Sequence, residues 1–294
     1  MEHRSVMLAE ALEYLAIRPD GVYLDATAGL GGHTRAIAER LTTGLVIASD
    51  RDADSLERAR KNTEDLAARI RYQRASFAEL REALQAAGIG KVDGLLADLG
   101  VSRYQLTEPE RGFSFMADGP LDMRMDRSQE MTAADLVNFS SETELADLLY
   151  RLGEERRARR LARAIVRARP INTTGRLARV VEEAVPRTAR IHPATQTFMA
   201  LRLATNGELE QLDELLRTAP ELVSAGGRVV IITFMSLEDR RVKQGFQEWA
   251  RQGRAVILTK HVVKPREDEV RTNPPSRSAK LRAAEISATA TLVR

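Results

Sequence analysis

Cysteine is absent from all 294 residues, which excludes disulfides, thiolate metal ligands and a cysteine nucleophile. Histidine is nearly so. The four present (His3, His33, His192 and His261) stand far apart, and none has the short spacing that brings two imidazoles to one zinc ion. No metal is expected. No apolar run approaches the length of a bilayer span. Met1 to Leu15 mixes acids and an arginine among its apolar residues, where a signal peptide would place charge first and an apolar stretch after it. The expectation is a cytoplasmic protein with no membrane partner. Internal repeats and low-complexity segments are missing as well. What remains is ordinary for a globular chain, 43% hydrophobic and 30% charged, and long enough for one large domain or two unequal ones. The net charge is only +3 with an isoelectric point near 9.3, so evidence for an anionic partner has to be sought in local clusters.

The first third of the chain alternates strands and helices. Ser5 is placed to cap a helix with Leu8, Leu12 and Leu15 on one face. Val22–Asp25 reads as a short buried strand stopping at a glycine loop. Leu45–Asp50, Ile70–Gln73 and Val92–Asp98 read as three more. This spacing predicts an α/β fold, a Rossmann-like parallel sheet with helices on both faces. The alternation then breaks. The next strand, Arg228–Phe234, begins about 130 residues after Asp98, whereas a single crossover unit takes about 30. The intervening stretch is helical: Leu145, Leu148, Leu149 and Leu152 form one apolar face, and Ala158, Leu161, Ala162 and Ile165 another. The pattern predicts a discontinuous main domain, 1–105 with 191–294, carrying a small helical domain at 106–190 that recognises substrate. Beyond it Pro193 opens a helix, which Gly207 to Arg217 continues or restarts. Ser236 with Asp239 three residues on predicts an N-cap, for a helix burying Val242, Phe246 and Trp249. Ala255–Thr259 and Leu281–Ile286 are the last candidate strands, and the linker Lys264–Ser278 between them is polar and contains proline.

The loop Asp25-Ala-Thr-Ala-Gly29-Leu-Gly31-Gly32-His33-Thr34 follows a strand and opens a helix. Glycines there let backbone approach a ligand closely, and the start of a helix favours anionic groups. Asp50 ends the next strand, 19 residues after Gly31, where a carboxylate can accept both hydroxyls of a ribose. That arrangement suits a dinucleotide or S-adenosylmethionine. Two features favour the methyl donor: Asp25 lies four residues before the first glycine, and Thr34 occupies the place of the third glycine in a dinucleotide fingerprint. His33 either caps the helix or touches ligand. Phe77, after the third strand, either flanks an adenine ring or belongs to the core. Asp98 ends the fourth strand, at the sheet edge where open parallel sheets place their chemistry. It can accept a hydrogen from an amino group being methylated, hold the donor's ammonium, or simply solvate a strand end.

At this point the residues resemble the bacterial small-subunit ribosomal RNA cytosine-N4 methyltransferase family. The matching segments are His3 with Val6–Glu10, Asp25–Thr34, Asp50–Asp52, Asp93–Ser102, Glu110–Met116, Asp118–Asp126, Gly153–Arg156, His192–Thr195, Ser236–Arg240 and Asn273–Arg282. They span almost the whole chain. Arg111-Gly-Phe-Ser-Phe115 and Gly119-Pro-Leu-Asp-Met-Arg-Met-Asp126 are the longest and most distinctive. The resemblance implies an S-adenosylmethionine-dependent methyltransferase sheet with a donor site of Gly31, Gly32, His33, Asp50, Phe77, Asp98 and Gln105. It implies an N4-methyl mark on a decoding-region cytidine as the product. The partner it implies is small-subunit ribosomal RNA, within an assembled or assembling subunit, read by a monomer or a homodimer. The chain departs from the family pattern at Met235, where histidine is usual, and at Arg103-Tyr104, where Ser-Pro is usual. The segment from Trp249 to Lys264 is also short.

The missing cysteine agrees with amine chemistry, because methylating cytosine at C5 needs a cysteine adduct and an exocyclic amine does not. The amine needs an acceptor for its proton. Asp98 is the first candidate, and Asp122 and Asp126 are weaker ones. Between Arg151 and Arg190 there are twelve arginines and four glutamates. Arg156, Arg160, Arg163 and Arg167 recur at helical spacing, a stripe suited to RNA phosphates or else a solvated face. Three other readings stay open: an amino-group methyltransferase on another RNA or protein, a nicotinamide-dependent oxidoreductase, and a non-catalytic RNA-binding relative, the last prompted by Met235.

Overall fold

The structure is a computed structural model describing residues 5–185 and 192–288; His3, Arg187, Arg190 and Ile191 lie outside them. In chain order the elements are α1 (Leu8–Leu15), β1 (Val22–Asp25), α2 (Gly32–Ala38), β2 (Leu45–Asp50), α3 (Ala53–Asn62), β3 (Ile70–Arg74), α4 (Leu80–Ala86) and β4 (Val92–Asp98). A helical stretch follows: α5 (Arg103–Thr107), α6 (Ala133–Phe139), α7 (Glu142–Gly153), α8 (Ala158–Arg167), α9 (Thr174–Ala184), α10 (Ala194–Asn206) and α11 (Glu208–Leu222). The chain then returns to the sheet with β5 (Val223–Thr233), α12 (Ser236–Arg251), β6 (Ala255–Ile257), α13 (Glu267–Thr272) and β7 (Lys280–Ile286).

Two compact units result. One is Met1–Gly100 with Glu210–Arg294, the other Val101–Leu209. The second reaches past the expected 106–190 at both ends. At its C-terminal side it takes in α10, which packs along α7 and α9.

The first unit holds a seven-stranded sheet in the order β3-β2-β1-β4-β5-β7-β6. The first five strands are parallel, and β7 runs antiparallel to both its neighbours. This is a Rossmann-like α/β fold. Side chains alternate across the strands. Leu24, Leu95, Val229 and Ile231 join Leu215, Phe246 and Trp249 on one face. Tyr23, Leu96, Val230 and Ile232 join Leu12, Leu15 and Ile37 on the other. Strands buried on both faces read as continuous apolar runs, which is why β1, β2 and β4 were legible. β5 begins five residues before the expected Arg228, because Val223 already pairs with Val92 across an irregularity in the ladder.

Two expected caps are otherwise arranged. Ser5 does not cap α1. Its N-cap is Met7 in the left-handed conformation, whose N–H goes to Glu269 Oε1 at 2.8 Å. At α12, Glu238 takes the N–H groups of Phe234 and Met235, at 3.0 and 3.1 Å. Asp239, expected in that role, instead accepts from Arg282 Nε at 2.7 Å.

The second unit is helical around its own core of Leu145, Leu149, Leu161, Ile165, Leu177 and Leu201. Its most distinctive sequence motif is architectural. A Cβ on Gly112 would stand 2.3 Å from the Pro120 carbonyl, and one on Gly119 would stand 2.1 Å from that of Pro109. Only glycine lets these two segments pass so closely. Arg111, fully buried, donates to the carbonyls of Arg124 and Met125 at 2.9 and 3.1 Å. Asn206 bridges Met123 O and Met125 N.

Candidate active site

The strand order reverses between β1 and β4. Chain β1-β2-β3 builds outward one way and β4-β5 the other, so the carboxyl ends of β1 and β4 flank a crevice. Asp25 closes β1 and Asp98 closes β4.

Asp25 is fully buried. It accepts from the Thr34 hydroxyl at 2.6 Å and from Thr27 N at 3.2 Å. Thr34 thus serves the buried acid from the place a third glycine would fill. Burial pushes the Asp25 carboxyl up to about 6 even so. Between the two, Gly31 adopts φ 87°, where an L side chain is strained. A Cβ there would also meet Ala59 Cα at 3.2 Å, so glycine seats the start of α2 against α3. Gly32 is the first residue of that helix.

Asp50, at the end of β2, is gripped by backbone on both oxygens. Oδ2 accepts from Gly29 N at 2.8 Å and Oδ1 from Asp52 N at 2.9 Å. Each oxygen keeps a second lone pair, so the carboxylate is oriented without being used up. Burial raises it to about 6 against the pull of those two amides. Phe77 sits half-buried at the edge of the core just beyond β3.

Asp98 is the least satisfied acid of the unit. Its side chain is 22% exposed, yet Oδ1 is buried with no hydrogen-bond partner. Oδ2 lies 3.8 Å from His33 Nδ1. His33 Nε2 donates to the Val6 carbonyl at 3.1 Å; a carbonyl only accepts, so Nε2 carries the hydrogen. Burial first, and then repulsion from Asp25, Glu238 and Glu269, raises the Asp98 carboxyl well above the usual carboxylate range. Such a setting suits a cation that would let the carboxylate ionise. Among the described residues no group of three or more His, Cys, Asp or Glu is placed to hold a metal ion. None of the helices described is long and apolar enough to cross a membrane.

The structure therefore brings Gly31, Gly32, His33, Asp50 and Asp98 around the carboxyl ends of β1, β2 and β4, with Phe77 beyond β3. Glu238 and Glu269 were missed in the sequence. Glu238 lies inside the quoted Ser236–Arg240 segment, where its capping spacing was a usable signal. Glu269 comes from the polar linker and carried none.

The remaining candidates belong to the second unit. Gln105 is buried and its Oε1 accepts from Ser102 N at 2.8 Å, closing a capping box on α5. Asp122 is held by Arg124 through both oxygens, at 2.7 and 2.8 Å. Burial works upward on this carboxyl, and the guanidinium outweighs it, holding the group below the usual range. Asp126 fastens a turn by accepting from Ser128 N and Oγ at 2.8 and 2.7 Å. Arg160, Arg163 and Arg167 are exposed on α8, opposite Leu161, Ala162 and Ile165. Arg156 is exposed too, in the turn before that helix, which begins at Ala158.

The family model described as the MraW methylase family matches residues 1–287. Three proteins named ribosomal RNA small subunit methyltransferase H are similar to this chain. That of Solibacter usitatus is 63% identical, covering 97% of this chain and 99% of its own length. Those of Acidobacterium capsulatum and Koribacter versatilis are each 50% identical over 96% of this chain, and over 98% and 93% of their own lengths.

Proposed function

Since the chain belongs to the MraW methylase family, we propose that it transfers a methyl group from S-adenosylmethionine to small-subunit ribosomal RNA in the cytoplasm. The acceptor in this reading is the N4 amino group of a decoding-region cytidine, in an assembled or assembling subunit. The observation that carries it is the unpartnered, buried Asp98 oxygen at the switch point. Asp25, Glu238 and Glu269 repel it and His33 lies beside it, a seat for a cationic ligand or an amino hydrogen.

The residues present fit the donor. Asp50, already oriented by two backbone amides, offers its spare lone pairs to the ribose hydroxyls. Gly31 and Gly32 let the backbone come close, and Phe77 and His33 border the site. Gln105 completes the proposed set. When bound, S-adenosylmethionine supplies an electrophilic methyl group on a sulfonium. The chain's own task is to position and to accept. A cytosine amine conjugates with its ring, so an acceptor for its hydrogen returns the lone pair to nitrogen. Asp98 takes that hydrogen or else the donor's ammonium. Asp122 and Asp126, bound up in local contacts, are given no part. The target base must leave its stack to reach any such site. The second unit, with its exposed arginines on and just before α8, is assigned to gripping RNA phosphates.

The test is incubation of the protein with labelled S-adenosylmethionine and unmethylated small subunits, followed by nucleoside analysis. N4-methylcytidine is expected. 5-Methylcytidine would overturn the mechanism, because no cysteine exists to form the ring adduct it requires.

A further inference from the structure

Among the described residues, six large apolar side chains are exposed, and five of them are in the second unit: Leu106, Met116, Met131, Phe139 and Tyr150. Scattered exposure of this kind is common and needs no explanation by itself. Phe139 differs in what surrounds it. It ends α6, two residues after the buried Val137, and is 81% exposed. Its ring therefore points away from the helix face that packs. Arg169 reaches back to the same corner, where Nε donates to the Val137 carbonyl at 2.7 Å and Nη2 to that of Ser140. Glu142, three residues on, holds Arg163 Nε at 3.3 Å. Arg163 is on α8, with Arg160 and Arg167 exposed on the same helix. Three acids stand near it as well: Asp135 and Glu144, hydrogen-bonded to Thr132 and Ser141 and still ionised, and Glu142, paired with Arg163.

We infer that Phe139 is a stacking platform for an unpaired nucleobase of the RNA, with the backbone phosphates on either side of that base held by the arginines of α8 and by Arg169. A flat apolar ring exposed beside guanidinium groups, here those of Arg169 and Arg163, is the combination that holds single-stranded nucleic acid without reading its sequence. The inference rests on the reading that the substrate is RNA.

The test measures binding of protein-free, unmethylated small-subunit ribosomal RNA by wild type, Phe139→Ala, Phe139→Leu and Phe139→Trp, each checked by thermal melting. Labelled methyl transfer to assembled subunits by the wild type and the three variants is followed in parallel. Phe139→Ala should weaken binding by about fivefold to a hundredfold, the range for losing one stacked base. The salt slope should stay unchanged, since no phosphate contact is removed. Leucine should fail as alanine does, and tryptophan should bind like wild type. Equal binding by wild type and Phe139→Ala overturns the inference, as does full binding by Phe139→Leu, which would show apolar contact without stacking. A defect confined to assembled subunits also overturns it, because the ring would then dock on a ribosomal protein. If the wild type transfers no methyl group but the binding pattern holds, the catalytic reading fails and the platform stands. If the wild type binds no protein-free RNA, the platform falls, and the catalytic reading is decided by methyl transfer to assembled subunits alone.

Discussion

The two units treat charge in opposite ways. The sheet unit hides acids: Asp25, Asp52, Glu10 and Glu238 are buried, and Asp98 keeps an oxygen without a partner. The helical unit displays bases, with Arg156, Arg160, Arg163 and Arg167 all exposed, and its buried Arg111 is spent on backbone carbonyls. Their apolar residues divide similarly, since among the described residues only Val256 of the large exposed ones lies in the sheet unit. The contrast is what the two proposed ligands require. A small cationic ligand is bound most strongly by carboxylates withdrawn from water, where attraction is least screened. A polyanion releases counterions on binding, so surface guanidinium groups suffice. One unit withdraws carboxylates from water and the other displays guanidinium groups to it.

The sharpest way to break that division is Asp98→Asn. Turnover should drop by about 10²- to 10⁴-fold, the usual loss when an acid–base group is removed, while RNA binding stays as it was. Donor affinity on the same variant separates the two duties: intact binding marks Asp98 as proton acceptor, and lost binding marks it as ligand. An accompanying loss of RNA affinity would mean that the acids and the arginines do not divide the work. Next in size is Asp50→Ala. Charge-assisted hydrogen bonds contribute about 1.5–3 kcal/mol each, so calorimetry should show S-adenosylmethionine binding at least tenfold weaker. Unchanged affinity removes Asp50 from the site.

On the other side of the comparison, Arg160→Glu with Arg167→Glu should weaken RNA binding and lower its salt slope by about two units, one per lost phosphate contact. Donor affinity should not move. If the slope is untouched in a folded double variant, the stripe is solvated surface. The smallest effect concerns pH. Burial holds Asp50 near 6 and Asp98 well above the usual range, so both take up protons as pH falls through those values, earlier than free carboxylates would. A cationic donor prefers them ionised. Its affinity should therefore decline by about three- to tenfold from pH 6 to pH 5 as Asp50 protonates, and Asp50→Asn should flatten the curve in that window. A flat wild-type curve would show that Asp50 does not titrate against the donor.

Much of the sheet unit was readable because its determinants are local. β1, β2 and β4 fall on the expected residues, as buried parallel strands do when each apolar run stops at an aspartate. The glycine loop was readable for the same reason. What stayed hidden depends on distant partners. Glu269 lies in a stretch that reads as a polar linker, yet it closes on Met7, the residue that fills the N-cap position expected of Ser5. Asp122 had the right type and position for a proton acceptor, and nothing in the spacing shows that Arg124 would fold back on both its oxygens. Arg156 was read into the helical stripe, but α8 begins two residues later. The long Gly119–Asp126 motif was distinctive in the sequence, but nothing in its spacing shows that it holds together a crossing of two backbone segments.

The bond between Met7 and Glu269 joins residues 262 positions apart. On a translating ribosome, which adds about 5–20 residues per second, the second partner is made roughly 13–52 seconds after the first. The helical unit is continuous in sequence and β5 follows it, so its exposed arginines are synthesised before β5 and β7. The order of synthesis leaves the ring of acids around Asp98 incomplete until Glu269 has been made.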